Sequence, residues 1–271
     1  MNNAVRNMWN SESDEWYSNI QMGLDIILKN AQRAFPSAVW KMINRAFPDL
    51  RGKRVLVPSS GDNIAVFGFH LLGAFVTSCD FAERQLFNAK KIADSYKWYI
   101  EFIQQNSMDL KDIKDGEYDL VYTSNGVHVW ISDLPKMYGN FNRVLKPGGR
   151  CIMFETHPFI RPFDAEKPVD SSIQEIIIKP YENTGPHVSD EITTYSWRIQ
   201  DIFNAVFDAG FHVQRMEEFH SEPGDWDIWF YENVCEGKSD NYRKLDWKQN
   251  PWAALPQCIG FSAIKNGANN T

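Results

Sequence analysis

The sequence of 271 residues lacks the features that mark secreted, metal-binding and membrane proteins. Its four cysteines lie far apart without a Cys-x-x-Cys pair, which argues against a disulfide framework or a cysteine-based metal site. No apolar run approaches the ~20 residues that span a bilayer, and residues 1–10 are polar rather than leader-like. We therefore expect a cytoplasmic protein with reduced cysteines, no bound metal and no membrane contact.

An excess of basic residues is also missing. The chain has 28 Lys and Arg against 35 Asp and Glu, a formal net charge of −7. Proteins that bind DNA or RNA do so largely through Lys and Arg on the phosphate backbone. The charge balance therefore predicts no nucleic-acid partner.

Aromatic residues, in contrast, are abundant: the chain has ten Trp, ten Tyr and eighteen Phe. Rings of this size need either a hydrophobic core or a ligand to cover them. Composition alone leaves both explanations open.

Short apolar segments alternate with helical patterns along most of the chain. We predict strands at residues 55–57, 74–79, 99–104, 119–123, 150–155, 211–219 and 258–264. Strands separated by crossover helices form a parallel, doubly wound α/β sheet, and ligands bind at the carboxyl ends of its strands.

The remaining segments lie outside this alternation. Residues 1–50 are predicted to form a helical cover, and residues 51–271 the main domain. Two excursions interrupt the main domain, a proline-rich one at 158–198 and a tryptophan-containing one at 221–256. We expect both to act as lids.

The turn after the first strand is the first candidate binding element, with the residues Pro58, Ser59, Ser60, Gly61, Asp62 and Asn63. A glycine there lets the backbone approach a ligand closely, and the following helix offers free N–H groups. The dinucleotide fingerprint needs three glycines, whereas this turn has only Gly61.

Asp80 follows the second strand, where a carboxylate can accept hydrogen bonds from both ribose hydroxyls of an adenosine. The alternative is that Asp80 only caps the next helix. Further candidates follow the second, third and fourth strands and face the same crevice: Phe81, Asn106, Ser107, Met108, Ser124, Asn125 and Gly126.

Four ordered segments carry a family resemblance: residues 55–63, 73–80, 118–121 and the Arg-Val-Leu-Lys-Pro-Gly-Gly run at 143–149. Over residues 50–157 the chain resembles the class I S-adenosylmethionine-dependent methyltransferases. The resemblance implies a Rossmann-like sheet of seven strands, mostly parallel with the last strand antiparallel. It also implies S-adenosylmethionine as cofactor, S-adenosylhomocysteine as product, and in-line transfer of the sulfonium methyl group to a small-molecule acceptor. The sequence leaves the oligomeric state open between a monomer and a homodimer.

The chain departs from the family at three positions of the turn. The family usually has an acidic residue at the position of Val57 and glycines at those of Ser59 and Asn63. Serine is small and asparagine tolerates the left-handed conformation, so we expect the turn to form.

Candidates for a general base are His128 and His157, both just beyond strand ends, with Glu155 as a third. Ordinary loop or capping histidines are the alternative. The sequence after the fourth strand, Ser124 to Val127, lacks the Asn/Asp-Pro-Pro-aromatic motif of enzymes that methylate nucleic-acid bases.

The topology brings three aromatic segments to the mouth of the crevice. Trp9 and Trp16 are predicted to contact the cofactor, and the predicted acceptor contacts are Tyr17, Trp130, Trp197, Trp226 and Trp229. An aromatic or apolar acceptor suits such a lining, whereas simple packing of the covers is the alternative. A non-catalytic S-adenosylmethionine-binding module and a nicotinamide-dependent oxidoreductase remain as alternative functions.

Overall fold

The computed structural model describes residues 3–164, 172–220, 222, 225, 228 and 254–267. Its helices are α1 (Asn3–Lys29), α2 (Ser37–Ala46), α3 (Ile64–Leu71), α4 (Glu83–Tyr96), α5 (Leu134–Val144), α6 (Ile173–Ile176) and α7 (Ile199–Asp208). Its strands are β1 (Arg54–Pro58), β2 (Phe75–Asp80), β3 (Glu101–Gln104), β4 (Tyr118–Ser124), β5 (Leu145–Thr156), β6 (His187–Ser189), β7 (Ile192–Thr194), β8 (Phe211–Phe219) and β9 (Cys258–Lys265). Single 3₁₀ turns cover Ala31–Ala34, His128–Trp130 and Pro158–Ile160.

The main sheet has seven strands in the order β3-β2-β1-β4-β5-β9-β8. Strands β1 to β5 pair in parallel, whereas β9 is antiparallel to both β5 and β8. Strand β8 therefore runs in the same direction as the first five. The predicted Rossmann-like sheet, with its last strand antiparallel, is confirmed.

Buried apolar side chains form one cluster on each face of the sheet. The first cluster joins α1, α2 and α3 to the sheet through residues such as Ile27, Val39 and Phe67. The second joins α5 and α7 through residues such as Phe141 and Val206. Two covered faces explain why the central strands are continuously apolar.

The N-terminal helix packs on α4 through polar contacts. The amide Nδ2 of Asn88 donates to the carbonyl oxygen of Ser13 at 3.3 Å and to the carboxylate of Asp14 at 2.8 Å. Arg84 pairs with the same Asp14 carboxylate at 2.9 Å. Helices α1 and α2 share a buried cluster with the sheet. The division of the chain at residue 50 into a helical cover and a main domain stays a prediction.

The excursion after β5 contains a small hairpin, β6-β7, that the sequence pattern did not predict. Its strands have three residues each, too few for a recognisable alternation. Asp190 and Glu191 form its tip with positive φ angles of 47° and 67°. The second predicted excursion, 221–256, lies almost entirely outside the described residues, as do Trp226 and Trp229.

No helix in the described part of the chain is long and apolar enough to cross a membrane. Cys79, Cys151 and Cys258 are buried, and Cys235 lies outside the described residues.

Candidate active site

The turn after β1 adopts the predicted tight conformation with asparagine in place of glycine. Ser59, Gly61 and Asn63 have positive φ angles of 52°, 51° and 64°. The buried Asn63 side chain donates from Nδ2 to the Gly61 carbonyl at 2.6 Å and accepts at Oδ1 from the Ser78 hydroxyl at 2.5 Å. Asparagine is one of the few non-glycine residues that tolerate this region, and its side chain here fixes the turn.

The position usually occupied by an acidic residue is apolar. Val57 is buried and belongs to the core cluster beneath the helices. The nearest acidic residue along the turn is Asp62, whose Oδ1 accepts from the Ile64 N–H at 2.9 Å. Asp62 lines a cleft between α1 and α4 together with Trp16 and Tyr17.

Asp80 is the last residue of β2 and not, as predicted, the residue after the strand. Its Oδ2 accepts from the Gly61 N–H and its Oδ1 from the Ala82 N–H, each at 2.9 Å. Burial raises the pKa of this carboxyl. Asp80 therefore caps the following segment and also holds the turn after β1. Each of its carboxylate oxygens has one of these partners and can accept a further hydrogen bond.

The loop after β3 lies against the turn after β1. The hydroxyl oxygens of Ser107 and Ser59 are 2.5 Å apart, and Ser107 is buried. Asn106 accepts at Oδ1 from the Met108 N–H at 2.9 Å, which fixes the loop locally. The structure thus brings Asp80, Phe81 and the candidates after β3 to one edge of the sheet.

The loop after β4 is held by a buried carboxylate. Glu155 accepts at Oε1 from the N–H groups of Gly126 at 2.6 Å and Thr156 at 2.8 Å, and at Oε2 from the His128 N–H at 2.9 Å. Asn125 and Gly126 have positive φ angles of 31° and 79°. Glu155, offered above as a possible base, is thus engaged by three backbone N–H groups.

Two glycines at this edge leave open space. A Cβ added to either Gly61 or Gly126 would meet no atom within 4 Å. Both glycines also have positive φ angles, a conformation that residues with a side chain rarely adopt. A ligand can approach the main chain closely here.

The two candidate histidines are buried. His128 Nε2 is 2.7 Å from the Tyr138 hydroxyl, and its Nδ1 has no hydrogen-bond partner among the described residues. His157 Nδ1 accepts from the Phe159 N–H at 3.1 Å, and its Nε2 is 2.8 Å from Glu218 Oε1. Burial lowers the pKa of both rings, although Glu218 opposes this effect at His157.

Aromatic rings from separate segments meet near the loop after β4. Trp9 of α1 packs edge to face on Trp130, with ring centroids 5.7 Å apart. Trp197 stacks on Tyr195 at 5.4 Å and donates from Nε1 to the Ile131 carbonyl at 2.8 Å. Trp16 and Tyr17 line the neighbouring cleft between α1 and α4.

Two residues of this network were not identified from the sequence. Ser78 lies two residues before Asp80, so the alternation of a strand places both on the same face, which was an available signal. Tyr138 lies on α5, and only the fold brings its hydroxyl to His128.

Residues 58–153, from the turn after β1 to the middle of β5, match the model of a family described as "Methyltransferase domain". Residues 58–153 are a methyltransferase domain. The methyltransferase domain therefore contains the turn after β1, Asp80 and the loops after β3 and β4.

Three relatives illustrate the similarity. The chain is 31% identical over 108 residues to a demethylmenaquinone methyltransferase of Thermus thermophilus, an alignment that covers 39% of this chain and 48% of that protein. An S-adenosylmethionine-dependent methyltransferase from Mesorhizobium loti superposes with a TM-score of 0.62 at 18% identity, covering 84% and 98% of the two chains. Geranyl diphosphate C-methyltransferase from Streptomyces coelicolor, solved with Mg²⁺, a geranyl thiolodiphosphate and S-adenosylhomocysteine, gives 0.56 at 12% identity, covering 83% and 75%.

The aligned region spans about half the length of the Thermus protein. Identities below 20% in the two solved structures concern the fold alone. The methyltransferase domain has no group of three or more His, Cys, Asp or Glu side chains placed to hold a metal ion, as far as its residues are described.

Proposed function

We propose that the protein transfers the methyl group of S-adenosylmethionine to a small aromatic or apolar acceptor by in-line displacement. The observation that carries this proposal is the buried Asp80 carboxylate, which accepts from the N–H of Gly61 in a turn where this glycine leaves open space beside the main chain. A cytoplasmic location and a monomeric or homodimeric state remain predictions.

The donor groups at this edge fit an adenosyl ligand. Asp80 would accept the ribose hydroxyls, and Phe81, Asn106, Ser107 and Met108 would border the adenine. The turn from Pro58 to Asn63 and the loop Ser124–Gly126 would hold the methionine part, with open backbone at the glycine of each turn. The bound group supplies a methyl on a positively charged sulfur.

The task of the chain is then orientation and exclusion of water. Methyl transfer by displacement needs no nucleophilic side chain, and correct orientation alone can supply up to ~7–11 kcal/mol. Trp9 and Trp16 from α1 would cover the cofactor, and rings near a positive sulfur add about 0.5–2 kcal/mol. Tyr17, Trp130 and Trp197 would border the acceptor, together with Trp226 and Trp229, which lie outside the described residues.

A hydroxyl or amine acceptor would also need a base. Burial lowers the pKa of His128, so its ring is neutral at pH 7 and able to accept a proton. Its Nδ1 has no hydrogen-bond partner among the residues described, whereas both ring nitrogens of His157 are engaged. We therefore favour His128 over His157 for this role.

The relatives support this proposal without defining the acceptor. The Thermus relative is named for a demethylmenaquinone, and the Streptomyces structure contains S-adenosylhomocysteine together with a geranyl compound. Both names describe small organic acceptors with an apolar part.

Calorimetric titration with S-adenosylhomocysteine tests the cofactor. We expect the wild type to bind and Asp80→Asn to bind about tenfold or more weakly, since a hydrogen bond to a charged group contributes about 1.5–3 kcal/mol. Asp94→Asn, on the exposed part of α4, is the matched control and should bind as the wild type does. Absence of binding by the folded wild type would refute the proposal.

One observation favours a second candidate, a non-catalytic S-adenosylmethionine-binding module. Val57 offers no carboxylate to the ammonium of a bound methionine, so the turn departs from the usual arrangement. Tight binding of S-adenosylhomocysteine without turnover of radiolabelled cofactor on a broad panel of acceptors would support this second candidate.

A further inference from the structure

The excursion after β5 places two cations side by side. The N–H of Ile178 donates to the Pro162 carbonyl at 2.8 Å, and Phe163 forms an antiparallel bridge with Ile177. This pairing makes the residues at its open end, Arg161 and Lys179, neighbours. We refer to these two residues as the lid cations.

In the described part of the chain, the Lys179 ammonium has only neutral acceptors. Its Nζ is 3.0 Å from His187 Nε2 and also donates to the hydroxyl of Ser196, a residue that is 8% exposed. Within residues 3–164 and 172–220, no carboxylate forms an ion pair with it. Partial burial and the charge of Arg161 lower the pKa of Lys179, the effect expected of a cation without a counter-ion.

Arg161 has one carboxylate nearby, at long range. Its Nη2 is 3.8 Å from Glu155 Oε1, and the Arg161 side chain is 28% exposed. Glu155 already accepts hydrogen bonds from three backbone N–H groups, one of the next residue and two of the loop after β4. Among the residues that the structure describes, no carboxylate therefore closely neutralises the lid cations, although the formal net charge of the chain is −7.

This charge lies beside the rings that we assign to the acceptor. The N–H of Tyr195 donates to the Val129 carbonyl at 2.8 Å, which fastens the arm after β7 to the loop after β4. The adjacent Trp130 and Trp197 are the predicted acceptor contacts. The buried Glu155 links Arg161 to Gly126 of the same loop.

We propose that the lid cations bind an oxyanion, a carboxylate or a phosphate, on the methyl acceptor. The proposal rests on the proposed function: the acceptor would have an aromatic or apolar body that packs on the tryptophans and an acidic group that pairs with Arg161 and Lys179. A guanidinium donates two parallel hydrogen bonds to such a group, and an ammonium adds a point charge. The acceptor would thereby be held at two ends.

The test compares charged and neutral probes that share one phenyl ring. Benzoate, phenyl phosphate and benzyl alcohol are titrated into the protein saturated with S-adenosylhomocysteine, and binding is followed by NMR line shifts. We expect at least one of the two anions to bind about tenfold or more tightly than benzyl alcohol, because a hydrogen bond to an ionised group is worth that factor. The comparison of benzoate with phenyl phosphate distinguishes the two oxyanions.

Variants assign the effect to the lid. Lys179→Met should lose most of the preference for the anion, Lys179→Arg should retain it, and Lys136→Met, an exposed lysine on α5, should leave it unchanged. Three outcomes would overturn the proposal. The first is equal binding of the anions and benzyl alcohol, and the second is no binding of either anion when its concentration is 20 times that of the alcohol. The third is an unchanged preference for the anion in folded Lys179→Met. If S-adenosylhomocysteine does not bind in the same samples, the proposed function is refuted instead. The anions are then titrated into the protein without S-adenosylhomocysteine.

Discussion

At the scale of single residues, the polar side chains that we propose to bind the cofactor also hold the loops of the crevice in place. Asn63 replaces a family glycine and keeps the turn by bonding to Gly61 and Ser78. Asp80 has the same double role, because it bonds to the Gly61 N–H from the end of the next strand. Substitutions here are therefore expected to change both ligand affinity and stability.

Glu155 gives a prediction about stability. Glu155→Gln replaces a carboxylate oxygen that accepts a backbone N–H by an NH₂ group that cannot accept. We expect the free energy of unfolding in urea to fall by about 1–3 kcal/mol. Glu12→Gln, on the exposed face of α1, should change it little. A variant at Glu155 as stable as the wild type would show that the three N–H groups find other partners.

The buried histidines predict how stability changes with pH. His128 has a folded-state pKa below the ordinary value of 6.5, so the unfolded chain binds more protons just below that pH. Stability from this residue is therefore complete above pH 6.5 and falls as the pH drops below it, by up to about 1.4 kcal/mol per unit.

Urea unfolding at pH 7.5 and 5.5 measures this loss. The difference between the two pH values should be smaller for His128→Gln than for the wild type. It should stay unchanged for His212→Gln, whose side chain is exposed on β8. Equal pH dependence in all three proteins would contradict a neutral, buried His128.

At the scale of elements, periodicity predicted the main sheet and failed in the excursions. The predicted strands at 211–219 and 258–264 agree with β8 and β9, because the hydrophobic pattern of a long strand is decided locally. The β6-β7 hairpin escaped prediction because three-residue strands depend on contacts with the loop after β4. The same holds for the candidate site. Sequence motifs indicated the turn after β1 and Asp80, whereas the partners of His128 and Lys179 are distant in sequence and could not be predicted from it.

The N-terminal helix α1 provides a prediction about covering the crevice. Asn88→Ala removes the amide that bonds Ser13 and Asp14, so α1 should loosen from α4. We expect faster hydrogen exchange in residues 3–29 and weaker binding of S-adenosylhomocysteine by a few-fold. Asn204→Ala, exposed on α7, is the control. Faster exchange with unchanged affinity would mean that α1 does not cover the ligand.

At the scale of the whole molecule, ligand binding should be visible as stabilisation. A ligand present at 100 times its Kd adds about 2.7 kcal/mol to the free energy of unfolding. For a chain of this size we expect S-adenosylhomocysteine to raise Tm by roughly 5–10 °C. NAD, the cofactor of the alternative oxidoreductase, should produce no shift, and a shift with NAD alone would favour that alternative.

The position of β9 has a consequence for how the chain is made. Strand β9 lies between β5 and β8, and among the described strands β8 pairs with β9 alone. The chain is synthesised from its N-terminus. One edge of β5 therefore has no partner, and β8 is unpaired, until residues 258–265 have left the ribosome. Frameshifts and early stop codons ahead of Cys258 would thus release chains with exposed strand edges, which are substrates for chaperones and proteases and prone to aggregation.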